Sequence, residues 1–372
     1  MLYTRNVYLD NAATTFADGA VIAKMKHCML EAAANPSASY SASGFARKEL
    51  RLARQAVADL IGANPEEIVF TSGGTEANAL ALWQARGKPV VLSATEHASV
   101  IENAKLYGCN ITFVFPDSNG VIQPDEVEKT LTPETALVSI QHANNETGVI
   151  QPIQDIAKLL KKRHCLFHSD AVQAAGQIPL DVHSLDADFV SLSAHKLYGP
   201  RGAGCLYIRR GTSVRPLMAG GGQERQIRSG TENVPAFAGF GLAAQLAAAD
   251  LKIRTEKEAD LRSQLESGLC SLVRDCCILG KNASRVPGIC AAYLPGISSE
   301  WLIAQLDLQG IQVSGGAACA SRSGKPSHVY SAMGLNGMQA SEVVRFSLGR
   351  HNTQDEILYT LQCLGEILRK HS

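Results

Sequence analysis

Lys196 stands directly after an apolar, β-branched run, in Ser191-Leu192-Ser193-Ala194-His195-Lys196-Leu197-Tyr198-Gly199-Pro200. An amine at a buried strand end, beside a second basic side chain, holds its proton less tightly through desolvation and like charge. It can then act as a nucleophile toward a carbonyl. The alternative is a solvated loop lysine. Asp170 also closes an apolar run, in Phe167-His168-Ser169-Asp170-Ala171-Val172-Gln173. It suits pairing with a protonated ring nitrogen, or capping of a following helix. His97, in Ala94-Thr95-Glu96-His97, offers an imidazole for lying on a ring, for moving a proton or for a structural hydrogen bond. His142-Ala143-Asn144-Asn145-Glu146-Thr147-Gly148 offers amides to an oxygen substituent, or makes a turn.

Two stretches of small residues add to this set. Phe70-Thr71-Ser72-Gly73-Gly74-Thr75-Glu76-Ala77-Asn78 reads as a strand, a turn and a helix start. Free N–H groups and the positive end of the helix dipole at Gly74 and Thr75 would cradle a phosphate; an ordinary capped helix uses the same residues. Ser314 to Pro326 holds Cys319 among small residues with Arg322 and Lys325 close by, the setting of a reactive thiolate. The other nine cysteines lie mostly in apolar or helical contexts, with Cys276-Cys277 reading as core packing at a helix end. No CxxC pair occurs, and no metal site is expected.

The elements that must position these groups are legible as short apolar runs: IVFT at 68, PVVLS at 89, ITFVF at 111, ALVSI at 136, CLFHS at 165, FVSLS at 189 and GCLYI at 204. Helical patterns at 46–61, 76–84 and 153–162 separate several of them. This is the alternation of an α/β fold with a mostly parallel seven-stranded sheet covered by helices. Beyond Phe237 the texture changes to long helical stretches with strands at ICAAYL (289), IQVS (311) and VVRFSLG (343), which reads as a smaller α+β domain. The expected division is 16–237 for the large domain, and 1–15 with 238–372 for the small domain carrying the Cys319 loop. Gly220 to Gly222 and Ser314 to Pro326 read as flexible segments.

Composition excludes several classes. The 372 residues carry 35 Lys plus Arg against 35 Asp plus Glu, so no global basic field exists for nucleic acid or an anionic membrane. The first residues lack a basic stretch followed by an apolar core and a cleavage site, so a cytoplasmic protein with free thiols is expected. Val234 to Ala249, interrupted by Pro235, Gly239, Gly241 and Gln245, reads as a buried helix rather than a membrane span.

In an α/β sheet, ligands sit outside the carboxyl ends of the strands. There a phosphate cradle, a lysine, an aspartate, a histidine and amides form the parts list for pyridoxal phosphate. Their joint order resembles the cysteine desulfurase family of the NifS and IscS type, among the class V aminotransferase-like enzymes of fold type I. The likeness runs from Tyr8-Leu9-Asp10-Asn11-Ala12-Ala13-Thr14-Thr15 to Arg345-Phe346-Ser347-Leu348-Gly349-Arg350.

The resemblance implies that Lys196 would bind the cofactor as an imine, Asp170 would hold its ring nitrogen, and His97 would stack on the ring and help move protons. Gly74, Thr75, Ser193 and His195 would hold the phosphate side, and Asn145 and Gln173 the ring and its oxygen. Thr231 would reach the phosphate of a neighbouring subunit, which implies a homodimer. Arg345 would clamp the carboxylate of L-cysteine, near Asn11, Ala12, Ala13 and Asn145. Cys319, on a long mobile loop, would take the sulfur as a persulfide, release L-alanine and pass the sulfur to an acceptor, such as an iron–sulfur scaffold or a tRNA-thiolation enzyme. Ala317, where the family often has serine, and Tyr40, where it usually has histidine, depart from the pattern and bear on loop behaviour and acceptor choice. A selenocysteine lyase and a catalytically silent binding scaffold are the rival readings.

Overall fold

The computed structural model describes residues 6–316 and 326–371. The chain enters through β1 (Val7–Tyr8) and then builds its main sheet from β2 (Ile68–Thr71), β3 (Pro89–Ser93), β4 (Asn110–Val114), β5 (Leu137–Ser139), β6 (Leu166–Asp170), β7 (Phe189–Ser193) and β8 (Gly204–Ile208). Each of the seven apolar runs supplies one strand. The spatial order is β2-β8-β7-β6-β5-β3-β4. β8 runs antiparallel to both neighbours, and every other pairing is parallel. Parallel strands need crossovers, and the helices that supply them cover both faces, so β2, β7 and β8 are buried along their whole length. Only β4, at the sheet edge, alternates exposed and half-buried positions.

The later strands are β9 (Cys277–Ile278), β10 (Ile289–Tyr293), β11 (Ile311–Gln312) and β12 (Val343–Ser347). β10 lies between β9 and β12 in an antiparallel sheet, and β1 pairs in parallel with β11. β1 and β9, two residues each, were not legible as strands. Val7 and Leu9 share a core with Leu261, Leu265, Val344 and Phe346, separate from the core around β2, β6 and β7.

The Val234–Leu272 helix is longer than its apolar stretch suggested, and position 237/238 falls inside it. Pro235 sits in its first turn, where no intrahelical N–H is needed. By length and composition the helix would cross a membrane, yet more than half of its apolar window is buried inside the protein. It packs against the Gly19–Glu31 and Gly44–Leu60 helices, and Phe237 stacks on Phe70 of β2 with ring centroids 4.4 Å apart.

The nine described cysteines are free thiols. Cys276, half-buried, packs against the core of the later strands as expected, whereas Cys277 is exposed at the start of β9. A short edge strand leaves one face of residue 277 without cover.

Phe237→Ala should lower the free energy of unfolding in urea by ~3–5 kcal/mol, because the stacked pair is buried and the cavity cannot collapse onto a rigid sheet. A loss below ~1 kcal/mol would contradict the packing described.

Candidate active site

Because six strands of the main sheet run in one direction, their carboxyl ends share one edge. Five of them deliver side chains or backbone to a single cavity of about 300 Å³. After β2 come Gly74 and Thr75; after β3, His97 and Ser99; after β5, Gln141, Ala143 and Asn145; at the end of β6, Asp170, Val172 and Gln173; and at the end of β7, Ser193, His195 and Lys196. Ala12 and Ala13 close one side, and Arg345 of β12 another.

Lys196 Nζ donates to the carbonyl of Ala12 and, at 2.7 Å, to that of Ala13. The Asn11–Thr15 segment is itself fastened: Ala12 N–H donates to Ser347 Oγ (2.9 Å), Gln173 Nε2 donates to Ala12 O (2.8 Å), and Thr15 Oγ1 donates to His195 O (2.8 Å). A like charge was expected on His195. Burial, followed by Lys196 and Arg201, instead holds its imidazole at about 4, so it is neutral near pH 7 and adds no positive charge beside the lysine.

Asp170 is buried and accepts two N–H donors, Asn78 Nδ2 at 2.7 Å and the backbone of Val172 at 3.0 Å. It caps a turn rather than a helix. Asn78 also donates to Ser99 Oγ at 2.9 Å, and Ser99 Oγ lies 2.7 Å from His97 Nδ1. His97 caps the Ala98–Leu106 helix by accepting the Ser99 N–H on Nδ1, which leaves the proton of the neutral ring on Nε2. Burial lowers its proton affinity, with Lys196 and His328 acting the same way against Asp170. The structural reading of His97 as a helix cap holds, whereas the expected helix after Asp170 is a turn.

The Gly74–Trp83 helix points its start at the cavity. A Cβ at Gly74 would come within 2.9 Å of Val172 Cγ2, so only glycine keeps this backbone bare. Thr75, Ser193, His195 and Arg201 border an adjoining open recess at the same helix start. Arg345 is buried: Nη2 donates to Asp10 Oδ1 (2.7 Å), Nη1 to Asn145 O (2.9 Å), and Nε has no partner among the described residues.

Two expected site residues lie elsewhere. Asn11 lines a small neighbouring crevice, with its amide donating to Ser347 O at 2.9 Å. Thr231 is exposed and is not among the residues lining the cavity. Cys319 and the rest of 317–325 lie outside the described residues. Asn78, Ser99 and Gln141 were not singled out, although each is a polar residue beside apolar ones, a pattern that needs a buried partner, and Glu96, between Thr95 and His97, gave no such signal. Burial and the charge of Asp170 push Glu96 well above the usual carboxylate range.

The model of the aminotransferase class-V family matches residues 7–359. A protein named cysteine desulfurase IscS from Dictyoglomus turgidum is 40% identical over 375 residues, covering 98% of this chain and 95% of its own. A solved structure titled NIFS-like protein superposes with a TM-score of 0.91 at 37% identity, covering 98% of this chain and 100% of that one. Another, titled SspA in complex with cysteine, gives 0.83 at 30% identity over 94% and 100%.

His142 and His168 are each held at about 4 by burial, below the ordinary 6.5. As pH falls below about 6.5, the unfolded chain takes up protons that the folded chain refuses, so stability present above that pH is lost toward pH 4. Urea unfolding of the parent, His142→Gln and His168→Gln at about pH 7 and pH 5 should show an acid-side loss smaller by ~1–2 kcal/mol in each variant than in the parent. The same pH dependence in parent and variants would contradict burial of these residues as neutral rings.

Proposed function

Because the chain belongs to the class-V aminotransferase family, and its relatives over nearly its whole length are cysteine desulfurases, we infer that it is a cysteine desulfurase taking sulfur from L-cysteine and leaving L-alanine. The observation that carries this reading is the meeting of Lys196, Asp170, His97, Arg345 and the Gly74 helix start around one cavity.

Those residues fit pyridoxal 5′-phosphate. A cavity of about 300 Å³ has an amine on one wall, a buried carboxylate fixed by two N–H donors on another, and a helix start stripped of side chain at Gly74. Lys196 would hold the group covalently, Asp170 would face its ring nitrogen, His97 would lie on the ring, and Asn145 and Gln173 would flank its oxygen. Gly74, Thr75, Ser193 and His195 would hold the phosphate. Thr231, exposed and outside its own cavity, would reach the phosphate held by a second copy, making the working form a homodimer. Bound there, the cofactor supplies an electron sink for the pair left when Cα loses its proton.

The chain's own residues do the rest. Arg345, held by Asp10 and Asn145 O, binds the substrate carboxylate beside Ala12 and Ala13. Lys196 Nζ takes the Cα proton. His97, neutral with its proton on Nε2, serves as an acid at the same face. Cys319, as thiolate, attacks the substrate sulfur; the carbon–sulfur bond breaks, the sulfur stays on Cys319 as a persulfide, and the three-carbon product takes up a proton at Cβ, regains the one held by Lys196 at Cα and leaves as alanine. The sulfur then passes to an acceptor in iron–sulfur assembly or tRNA thiolation.

Reach supports this step. Ser314 and Arg345 exchange both backbone hydrogen bonds, so Cys319, five residues on, is tethered to the cavity wall by at most ~18 Å of chain. The two-lobe division belongs to the same proposal, supported by the separate cores, but the core of the main sheet runs on through Phe240, Ala243, Ala244 and Ala247, so the boundary lies later in the Val234–Leu272 helix than 237/238.

Protein supplied with the cofactor should show a visible absorption band that Lys196→Ala lacks. Cys319→Ala should keep the band and release no alanine from L-cysteine; unchanged alanine release would contradict the assignment, and a colourless parent protein would favour a silent scaffold. A parent that turns over selenocysteine and not cysteine would make it a selenocysteine lyase. Arg345→Lys should raise KM for L-cysteine about tenfold or more, since an ammonium cannot give the two-pronged contact; an unchanged KM would remove Arg345 from the site.

A further inference from the structure

Beyond the groups that surround the substrate, we propose that Glu146 is a positioning residue for the Cys319 segment, one buried side chain that hydrogen-bonds the residue at its far end and lies close against the residue at its near end. Glu146 is 1% exposed. Its Oε2 accepts the Ser327 hydroxyl at 2.6 Å. The same oxygen lies 2.9 Å from where a Cβ on Gly316 would stand. Gly316 precedes the segment and Ser327 follows it, three residues before and eight residues after Cys319 in sequence.

Both feet are shaped to fit beside this carboxyl. Gly316 has φ +127°, a backbone state that side chains rarely adopt, and its carbonyl accepts from Ser314 Oγ at 2.7 Å. Any larger residue there would be strained and would meet Glu146 and the ring of Tyr330. Ser327 caps the His328–Ala332 helix through its hydroxyl oxygen, accepting from the Val329 and Tyr330 N–H groups, while its O–H donates to Glu146. Tyr330 is fully buried below; burial, and next the charge of Glu146, push its phenol well above the ordinary range.

Glu146 is itself fixed from the cavity side. Its backbone N–H donates to Asn144 Oδ1 at 2.9 Å, as does that of Thr147 at 2.8 Å. The preceding carbonyl, of Asn145, holds Arg345. Burying a carboxyl group costs stability unless it is partnered, and a hydrophobic residue would fill the same space more cheaply. What the carboxyl provides is a hydrogen-bonded link from the substrate-binding wall to Ser327, with Gly316 held close beside it, at the two feet of the segment bearing the nucleophile. Attack on a sulfur atom is sensitive to placement, with ~1 Å of error costing about a hundredfold in rate.

The proposal rests on the desulfurase reading, and the test separates the two. Cofactor-loaded parent protein, Glu146→Ala, Glu146→Gln and Ser327→Ala are mixed with L-cysteine. Two signals are followed: the change in visible absorption on substrate binding, and the rate at which Cys319 gains a sulfur atom, read by alkylation and mass measurement in a single turnover. Glu146→Ala should leave the cysteine concentration at half-maximal spectral change within about twofold and slow sulfur uptake by about tenfold or more. Glu146→Gln, whose amide oxygen still accepts from Ser327, should recover most of the rate. Ser327→Ala, which removes the same bond with little change in volume, should show the loss even if Glu146→Ala folds poorly. Sulfur uptake at the parent rate in Glu146→Ala or Ser327→Ala, or an equal loss in the spectral signal, would overturn the positioning role. Absence of sulfur on Cys319 in the parent would overturn the desulfurase reading and this role with it.

Discussion

Six strands running the same way place six carboxyl ends along one edge, and this geometric constraint governs the rest of the molecule. Backbone polar groups released at a strand end must find partners, and turns of small residues provide them without filling the crevice. The chemistry then needs only the residue that follows each strand. Thus β2 leads to a bare helix start, β3 to an imidazole, β6 to a carboxylate and β7 to an amine, all within one cavity. A one-residue slip of β6 or β7 would turn Asp170 or Lys196 to the opposite face.

Buried polar groups make that edge a single unit. Asp170, Asn78, Ser99 and His97 form one chain of hydrogen bonds in a water-poor setting, where such bonds are strong and unmet ones costly. The Asn11–Thr15 strap adds a second, joining Ser347 of β12 to Gln173 and the His195–Lys196 turn of the main sheet. Through this strap, and through Arg345 reaching back to Asn145, the two sheets share the cavity between them.

The main sheet was legible because its strands are buried and written as unbroken apolar runs; each observed strand begins or ends within a residue or so of its run. β1 and β9 were not, since two residues carry no periodicity. The Val234–Leu272 helix was read only to Ala249 because charged residues begin at Asp250, and Gly239 and Gly241 within it look like interruptions. They mark close crossings instead: a Cβ on Gly241 would stand 2.5 Å from Ala53 Cα of the Gly44–Leu60 helix. Lys196, Asp170 and His97 were legible as chemistry at strand ends. Asn78, Ser99 and Glu146 were not, because what matters for them is a partner distant in sequence: Asp170 for Asn78 and Ser327 for Glu146. His195 was misjudged for a related reason, since only its depth in the fold shows that it is uncharged.

The central claim is that one cavity brings the Lys196 amine, the Asp170 carboxylate and the Gly74 helix start to a single vitamin B6 ring. A crystal structure of the protein grown with pyridoxal 5′-phosphate tests it most directly. The account predicts electron density continuous from Lys196 Nζ to the ring, the ring nitrogen beside Asp170, and the phosphate at the start of the Gly74–Trp83 helix. Lys196 still bound to the carbonyls of Ala12 and Ala13 and not to the ring, with the phosphate elsewhere, would contradict it.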